Sequence, residues 1–184
     1  MPELDPVIVL SARYGLALLF LSAAVGKFRG LTYFRGNLRK YALLPDPFVP
    51  IAAVLIPLVE LTIAATAVNA ATGARAMIAG GALLGVYAFA IGINLLRGRS
   101  DIDCGCTGPA ARQTLNGWLV LRNIALIAVA ACGAAAPATR PLGALDFAVL
   151  LLALAGGSVL YAAVNQLTAN APRLDAMDAY MEQP

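Results

Sequence analysis

Residues 76–96 read AMIAGGALLGVYAFAIGINLL, an apolar run without one charged side chain. About 20 consecutive apolar residues are enough to cross a bilayer as a helix. The whole chain is 60% hydrophobic and 12% charged, whereas soluble domains are about 25% charged. A single soluble domain would have no interior large enough for several such runs. The composition therefore indicates an integral membrane protein.

Four further apolar runs accompany this one. We predict five spanning helices, at about 7–26, 50–69, 76–96, 117–136 and 142–165. The runs do not alternate apolar and polar residues, which argues against a β-barrel. The predicted fold is an all-α integral membrane protein, a four-helix transmembrane bundle plus a fifth transmembrane helix. It forms a single domain over residues 1–184 that ends in a tail at 166–184, and Gly81 and Gly85 are spaced for close helix contact.

The segment between the first two runs has an apolar face. Leu31, Phe34, Leu38 and Tyr41 recur at intervals of three and four residues, the period of one side of a helix. The pattern predicts an interfacial amphipathic helix at about 28–44, lying among the lipid headgroups; a basic loop is the alternative. With five spans, this segment and the loop after the third span lie on the same side of the membrane.

That loop contains Asp103-Cys104-Gly105-Cys106. The chain has three cysteines, and Cys104 with Cys106 is the plausible disulfide couple. Residues two apart reach the Cα distance of a disulfide only on a kinked backbone, and Gly105 permits such a kink. Strained, exposed disulfides tend to be catalytic, so we predict a redox-active pair.

Two other interpretations of these cysteines stay open. The first is a zinc site, for which two thiolates would be only half of the usual four ligands. Because the chain has no histidine, Asp101 and Asp103 would have to supply the other ligands. We therefore expect no metal. The cysteines could also be incidental. Cys132 lies within the fourth span, where we expect a small buried packing residue rather than a third redox thiol.

Polar residues inside the spans are costly and suggest function. Asn94, Trp118, Arg122 and Asn123 lie at the membrane level of the cysteines, and the last two would donate hydrogen bonds to a quinone carbonyl. The alternative is a snorkelling arginine and contacts between helices. Glu60 in the second span is either paired with a cation, protonated or part of a proton path. We expect Arg13 only to snorkel.

Several of these stretches resemble one family. Asn94-Leu95-Leu96-Arg97-Gly98, Cys104-Gly105-Cys106 and Trp118-Leu119-Val120-Leu121-Arg122-Asn123 look like the MauE family of methylamine utilisation proteins, within the DoxX-like membrane group. Gly26-Lys27-Phe28 and Pro57-Leu58-Val59-Glu60 are also similar. The layout resembles that of vitamin K epoxide reductases, in which a cysteine pair opens the fourth span above a quinone.

The resemblance implies a membrane thiol-disulfide oxidoreductase. Its catalytic residues would be Cys104 and Cys106, and its partners a thioredoxin-like (MauD-like) protein and membrane lipid, with no nucleic acid. Its cofactor would be a quinone (ubiquinone or menaquinone), bound by Asn94, Trp118, Arg122, Asn123 and Glu60. It would support disulfide formation in an amine dehydrogenase or other exported proteins. The alternative is a non-catalytic scaffold that recruits the thioredoxin-like protein.

The side of the membrane is a point of conflict. The resemblance implies a multi-pass protein of the inner or plasma membrane with its cysteine loop on the extracytoplasmic side, where disulfides persist. Basic residues normally favour the cytoplasmic side, and most of them accompany the cysteines, with little beyond Arg75 and Arg140 on the other side. We expect the extracytoplasmic side, since an interfacial helix can bind lipid phosphates with its basic residues.

Overall fold

The computed structural model describes the backbone of residues 3–105 and 113–181 and the side chains of residues 3–105 and 113–170. This part of the chain contains six α-helices and two short strands. The helices are α1 (Pro6–Arg29), α2 (Leu31–Tyr41), α3 (Val49–Ala67), α4 (Gly73–Leu96), α5 (Gly117–Ala134) and α6 (Ala144–Met181). A 3-10 helix at Asp46–Phe48 leads into α3, and β1 (Glu3–Leu4) pairs in parallel with β2 (Ala136–Pro137).

All of these helices except α2 are long and apolar enough to cross a membrane. The five predicted spans are therefore confirmed, with ends that shift by five residues or fewer. Local signals explain where two of them begin. The Asp5 carboxylate accepts a hydrogen bond from Val7 N at 2.9 Å and Pro6 occupies the first turn of α1, while Asn116 caps α5. Both are favoured N-terminal arrangements.

The spanning helices form the predicted four-helix bundle with a fifth helix outside it. α1 packs on α3 and α5, and α4 packs on the same two helices from the other side. α6 rests on α1 and lines a groove with α5. No residue of its most apolar stretch is buried. The predicted tail is helical as far as Met181 and continues α6 without a break.

Glycines let the bundle helices approach closely. A Cβ on Gly80 would lie 2.9 Å from the ring of the fully buried Phe20, and one on Gly133 would lie 2.8 Å from Met77. The predicted contact glycine Gly81 does face a neighbour, Ala130 on α5, at 3.5 Å. The prediction is wrong for Gly85, where an added Cβ would have nothing within 4 Å among the described residues.

Two expectations fail at the bundle end that carries β1 and β2. Arg13 does not snorkel: it is 7% exposed, and its Nε donates to Gly133 O at 2.8 Å. A cation near the C-terminus of a helix is stabilising, so Arg13 stabilises the C-terminal end of α5. Cys132 is exposed rather than buried, because its neighbour Gly133 takes the inward position.

Candidate functional site

The cysteine loop lies between α4 and α5, and the two short backbone segments at its base are hydrogen-bonded to each other. Cys104 N donates to Gln113 O at 2.8 Å, and Leu115 N donates to Ile102 O at 2.9 Å. The carboxylate of Asp103 accepts a hydrogen bond from Gly105 N at 2.9 Å. Gly105 has φ +70°, a conformation that glycine adopts without steric cost. The predicted kink at Gly105 is thereby confirmed.

Cys104 is disulfide-bonded and only 7% exposed. Cys132 is free, and it lies near the opposite end of α5. Cys106 and Arg112, which the sequence places in the same loop, lie outside the described residues. The described part of the loop therefore holds one half of a disulfide at the membrane-surface end of the bundle.

α2 covers this loop. The predicted amphipathic helix is confirmed, though it spans Leu31–Tyr41 rather than 28–44. Phe34, Asn37 and Tyr41 form its buried face. A Cβ on Gly105 would lie 3.1 Å from Asn37 Nδ2, so α2 lies directly against the loop. Arg99 holds the C-terminal end of α2 in place, because its Nη2 donates to Lys40 O at 2.7 Å.

Beside Cys104, α2, α3 and α4 enclose a largely apolar cavity of about 210 Å³, called here the thiol cavity. Val86 and Leu44 at its edge are 60% and 42% exposed. These apolar residues face the lipid side of the bundle, so the cavity opens toward the bilayer. Its polar contributions come from five side chains: Lys27, Asn37, Tyr41, Tyr87 and Cys104.

Two of those side chains offer hydrogen-bond donors to the cavity. Asn37 Nδ2 is buried and has no hydrogen-bond partner among the described residues. An unsatisfied buried donor costs about 1–3 kcal/mol. Burial, and after it the negative charge of Asp103, raise the pKa of Tyr41 above its ordinary value. Tyr41 therefore keeps its phenolic proton at neutral pH.

Lys27 on α1 forms the inner wall of the cavity. Its ammonium donates to Glu60 Oε1 on α3, and the two side chains are 3% and 1% exposed. The same oxygen accepts a hydrogen bond from Tyr87 Oη at 2.8 Å. Lys27 Nζ also lies 5.5 Å and 5.4 Å from the ring centroids of Phe34 and Tyr87, within reach of cation–π attraction. Of the three states expected for Glu60, the structure shows the cation-paired one.

The predicted quinone-binding residues lie apart from the thiol cavity. Glu60, Arg122 and Asn123 line a second cavity of about 190 Å³. Trp118 lines the groove between α5 and α6. Asn94 is fully buried, with its Nδ2 donating to Ala90 O at 3.0 Å. None of these five is among the described residues that line the cavity beside Cys104.

Contacts between helices account for part of this set. Arg122 Nη1 donates to Asn165 Oδ1 on α6 at 2.9 Å, and the guanidinium lies 5.9 Å from the ring centroid of Tyr161. Asn123 Nδ2 donates to Leu119 O one turn earlier. The Arg122 bond matches the alternative of contacts between helices, whereas the Asn123 bond lies within α5. Gln113 adds a further link from the loop to α6, since its Nε2 donates to Thr168 Oγ1 at 2.9 Å.

Four residues of the thiol cavity were not predicted from the sequence as site residues: Lys27, Asn37, Tyr41 and Tyr87. One signal for Asn37 was available, because it is a polar residue on the same helical side as Phe34 and Tyr41. Lys27 stands in the last turn of the first span, where a basic residue is usually an anchor. Its partner Glu60 is 33 residues away, a distance that no local pattern spans.

Comparison with known proteins places this architecture in a family. The family model for methylamine utilisation protein MauE matches residues 5–136. The methylamine utilization protein MauE of Paracoccus denitrificans is 38% identical over 165 residues, 89% of each chain. That of Paracoccus versutus is 43% identical over 159 residues, 85% of this chain and 83% of the relative. No solved structure shows significant similarity to this chain.

Proposed function

This chain belongs to the MauE family of methylamine utilisation proteins, multi-pass membrane proteins, and on that premise we propose that it is a membrane thiol-disulfide oxidoreductase. Its disulfide takes two electrons from a thioredoxin-like (MauD-like) partner and passes them to a membrane quinone. This exchange supports disulfide formation in an amine dehydrogenase or another exported protein. The observation that carries the proposal is a disulfide-bonded Cys104 in the wall of an apolar cavity open toward lipid.

The proposed partner of Cys104 is Cys106. The chain contains three cysteines, and Cys132 is free. The positive φ of Gly105 turns the backbone between the two positions, which a pairing of residues this close requires. Cys104 stands in the loop that joins α4 to α5, at the end of the bundle where a soluble partner would approach.

A quinone fits the thiol cavity in both shape and chemistry. The walls are mostly apolar, and they offer buried donors to a ring carbonyl: Asn37 Nδ2, which has no partner among the described residues, and the phenol of Tyr41. Asn37 is also the side chain nearest to Gly105, so a carbonyl bound there would lie beside the disulfide. Asn37 and Tyr41 are therefore the proposed quinone-binding residues, ahead of the set predicted from sequence.

The chemistry divides into two half-reactions. A thiolate of the partner attacks one sulfur of the Cys104–Cys106 disulfide and forms a mixed disulfide, which the partner's second thiol resolves. Both cysteines are then thiols and the partner holds the new disulfide. A bound quinone supplies an acceptor for two electrons and two protons. When the two S–H bonds break and the S–S bond of Cys104 and Cys106 forms again, the two electrons pass to that acceptor, while two protons leave the thiols and two protons are taken up with the electrons.

The test uses the full chain in lipid nanodiscs. Cys104→Ser and Cys106→Ser are each expected to abolish quinone-dependent thiol oxidation, measured by alkylation with a mass-tagged maleimide after addition of decylubiquinone. Cys132→Ser is the matched control, because it removes a free thiol at the opposite end of the bundle. Full oxidation activity in both loop variants would refute the proposal. Loop cysteines that never change redox state with quinone or partner would favour the scaffold.

The proposed location is the inner or plasma membrane, with the cysteine loop outside the cytoplasm. A membrane-impermeant maleimide applied to intact, reduced cells is expected to label Cys104 and Cys106. Exclusive labelling after lysis would place the loop inside, as the distribution of basic residues favours.

A further inference from the structure

The second cavity has more polar side chains in its lining than the thiol cavity and lies next to it. Its lining includes Ser22, Glu60, Arg122, Asn123 and Tyr161, and its volume is about 190 Å³. A cavity needs only about 10–15 Å³ to hold one water molecule, provided that polar partners surround it. This cavity has both the room and the partners. We call it the polar cavity.

Three side chains separate the two cavities. Lys27 and Tyr87 line both of them. Glu60 faces the polar cavity and binds both Lys27 and Tyr87 through Oε1. The partition between the cavities is thus a continuous hydrogen-bonded unit, here called the Lys27–Glu60–Tyr87 triad.

The polar cavity contains buried atoms that need a partner. Glu60 Oε2 and Arg122 Nε have no hydrogen-bond partner among the described residues, and Glu60 is 0% exposed. Leaving a buried charged group partly unsatisfied costs more than the 1–3 kcal/mol of a neutral one. Water in the polar cavity would satisfy both atoms. Glu60 would then touch water through Oε2 and Lys27 through Oε1.

The buried Lys27–Glu60 pair is not explained well by a contribution to stability alone. Replacing a buried pair by well-packed apolar residues is often neutral or stabilising, and intramembrane charges generally accompany function. Lys27 is also an exchangeable proton donor that lines the cavity beside Cys104. These facts favour a role in moving protons.

We propose that the Lys27–Glu60–Tyr87 triad is the proton-transfer path between the thiol cavity and water in the polar cavity. The inference rests on the proposed function. As the dithiol gives up two electrons, Lys27 passes two protons in succession to the acceptor's oxygens and regains each of them from water through Glu60. The two protons of the broken S–H bonds leave to water, so two protons are released and two are taken up. Tyr87 holds the Glu60 carboxylate and acts as a positioning residue.

The test compares the two half-reactions separately in nanodiscs. Glu60→Gln is expected to slow thiol oxidation by decylubiquinone about 100-fold or more, as loss of a proton-transfer group usually does. Reduction of the disulfide by dithiothreitol should stay within a factor of about two, because it does not use the triad. Tyr87→Phe should give a smaller loss, with Tyr14→Phe as its control, because Tyr14 lines neither of the two cavities. Equal slowing of both half-reactions would overturn the inference.

The double variant Lys27→Met/Glu60→Gln separates proton transfer from stability, since it leaves no buried unpaired charge. We expect it to fold and to remain slow with quinone; recovery of the wild-type rate would show a structural pair and overturn the inference. Infrared spectra of quinone-free protein give a second readout. The Glu60 carboxylate band, identified by its absence in Glu60→Gln, is expected to shift in D2O because water exchanges the protons of its hydrogen-bond donors, and a band that does not shift contradicts the path. A wild type inert to quinone would instead refute the proposed function.

Discussion

At the end of the bundle that carries β1 and β2, charged groups pair at the surface, whereas the Cys104 end contains a charged pair inside the protein. Arg140 binds Asp5 and Asp146 at 2.9 Å and 2.8 Å in exposed contacts. Lys27 and Glu60 are almost fully buried. The surface pairs join the start of α1, the segment before α6 and the first turn of α6 at little cost in desolvation.

The two ends also differ in how completely their polar groups are satisfied. The one deeply placed cation among the described residues of the first end, Arg13, is bound to Gly133 O. At the Cys104 end, buried atoms of Asn37, Glu60 and Arg122 have no partner among the described residues. Unsatisfied buried groups are normally eliminated from folded proteins. Their concentration beside two cavities therefore indicates the end that binds and reacts.

The largest expected effect concerns the buried ion pair. Glu60→Gln should lower the free energy of unfolding by about 3–5 kcal/mol, because it leaves the Lys27 ammonium buried without its partner. Lys27→Met/Glu60→Gln should restore most of that loss. Denaturation in mixed micelles measures both variants. Asp146→Asn, a matched change in the exposed cluster, should have a far smaller effect, and an equal loss in Asp146→Asn and Glu60→Gln would contradict the comparison.

The second prediction uses two glycines with almost the same backbone. Gly105 and Gly98 have φ of +70° and +72°, so alanine at either position should cost about 1–2 kcal/mol. Only the Gly105 Cβ would meet α2, at 3.1 Å from Asn37 Nδ2, whereas Gly98 has nothing within 4 Å. Gly105→Ala should therefore displace α2 and speed reduction of the Cys104 disulfide by dithiothreitol. Equal rates in the two variants would argue against α2 as the cover.

The third prediction sets stability against binding at Asn37. Asn37→Leu should stabilise the fold by about 1 kcal/mol, because it removes a buried donor without a partner. The same change should weaken decylubiquinone affinity about tenfold, the equivalent of one lost hydrogen bond. Equilibrium binding in nanodiscs measures the affinity. Asn94→Leu removes a buried asparagine outside the cavity, and an equal loss of affinity there would restore the sequence-based prediction for Asn94.

The smallest effects are those of pH, and they act at opposite extremes on the two ends. The pKa of Asp5 is lowered by its hydrogen bond to Arg140, so its stabilising contribution is present at neutral pH and disappears as the pH falls through the folded-state pKa. The pKa of Tyr41 is raised by burial, so stability should fall as the pH rises above the tyrosine's ordinary range. Asp5→Asn should flatten the acid limb, and Tyr41→Phe the alkaline limb. A profile unchanged by both substitutions would contradict this assignment.

Much of the fold was predictable from the chain alone, for a simple physical reason. A span is a local run of apolar residues whose length matches the bilayer, and all five runs are helices. The cover helix was predictable from the spacing of Phe34 and Tyr41, and the loop from Gly105. Cys132 and Gly85 were misplaced because lipid-facing and interior positions of a spanning helix are both apolar, so hydrophobicity does not say which side faces inward.

The candidate site was predictable only in part. Cys104 stands out because a single glycine separates it from Cys106 in a short loop between two apolar runs. Arg122 and Asn123 stand out as polar residues in a span, yet they line a different cavity from Cys104. The depth of a residue in the membrane can be counted along the sequence. Which side of its helix faces the interior of the bundle cannot be counted in this way. The role of Lys27 was not predictable from its own segment, because it depends on the ion pair with Glu60, which lies on a different helix.

The sequence by itself determined the class of fold, the number of spans, the cover helix and the cysteine loop, since each depends on the composition or period of one continuous segment. Only the tertiary structure decided which polar side chains meet. The pairing of Lys27 with Glu60, the approach of Asn37 to Gly105 and the separation of the two cavities all depend on how α1, α2, α3 and α4 are rotated against one another. That rotation follows from close packing of the whole bundle, at contacts such as Gly80 against Phe20, and not from any single stretch of chain.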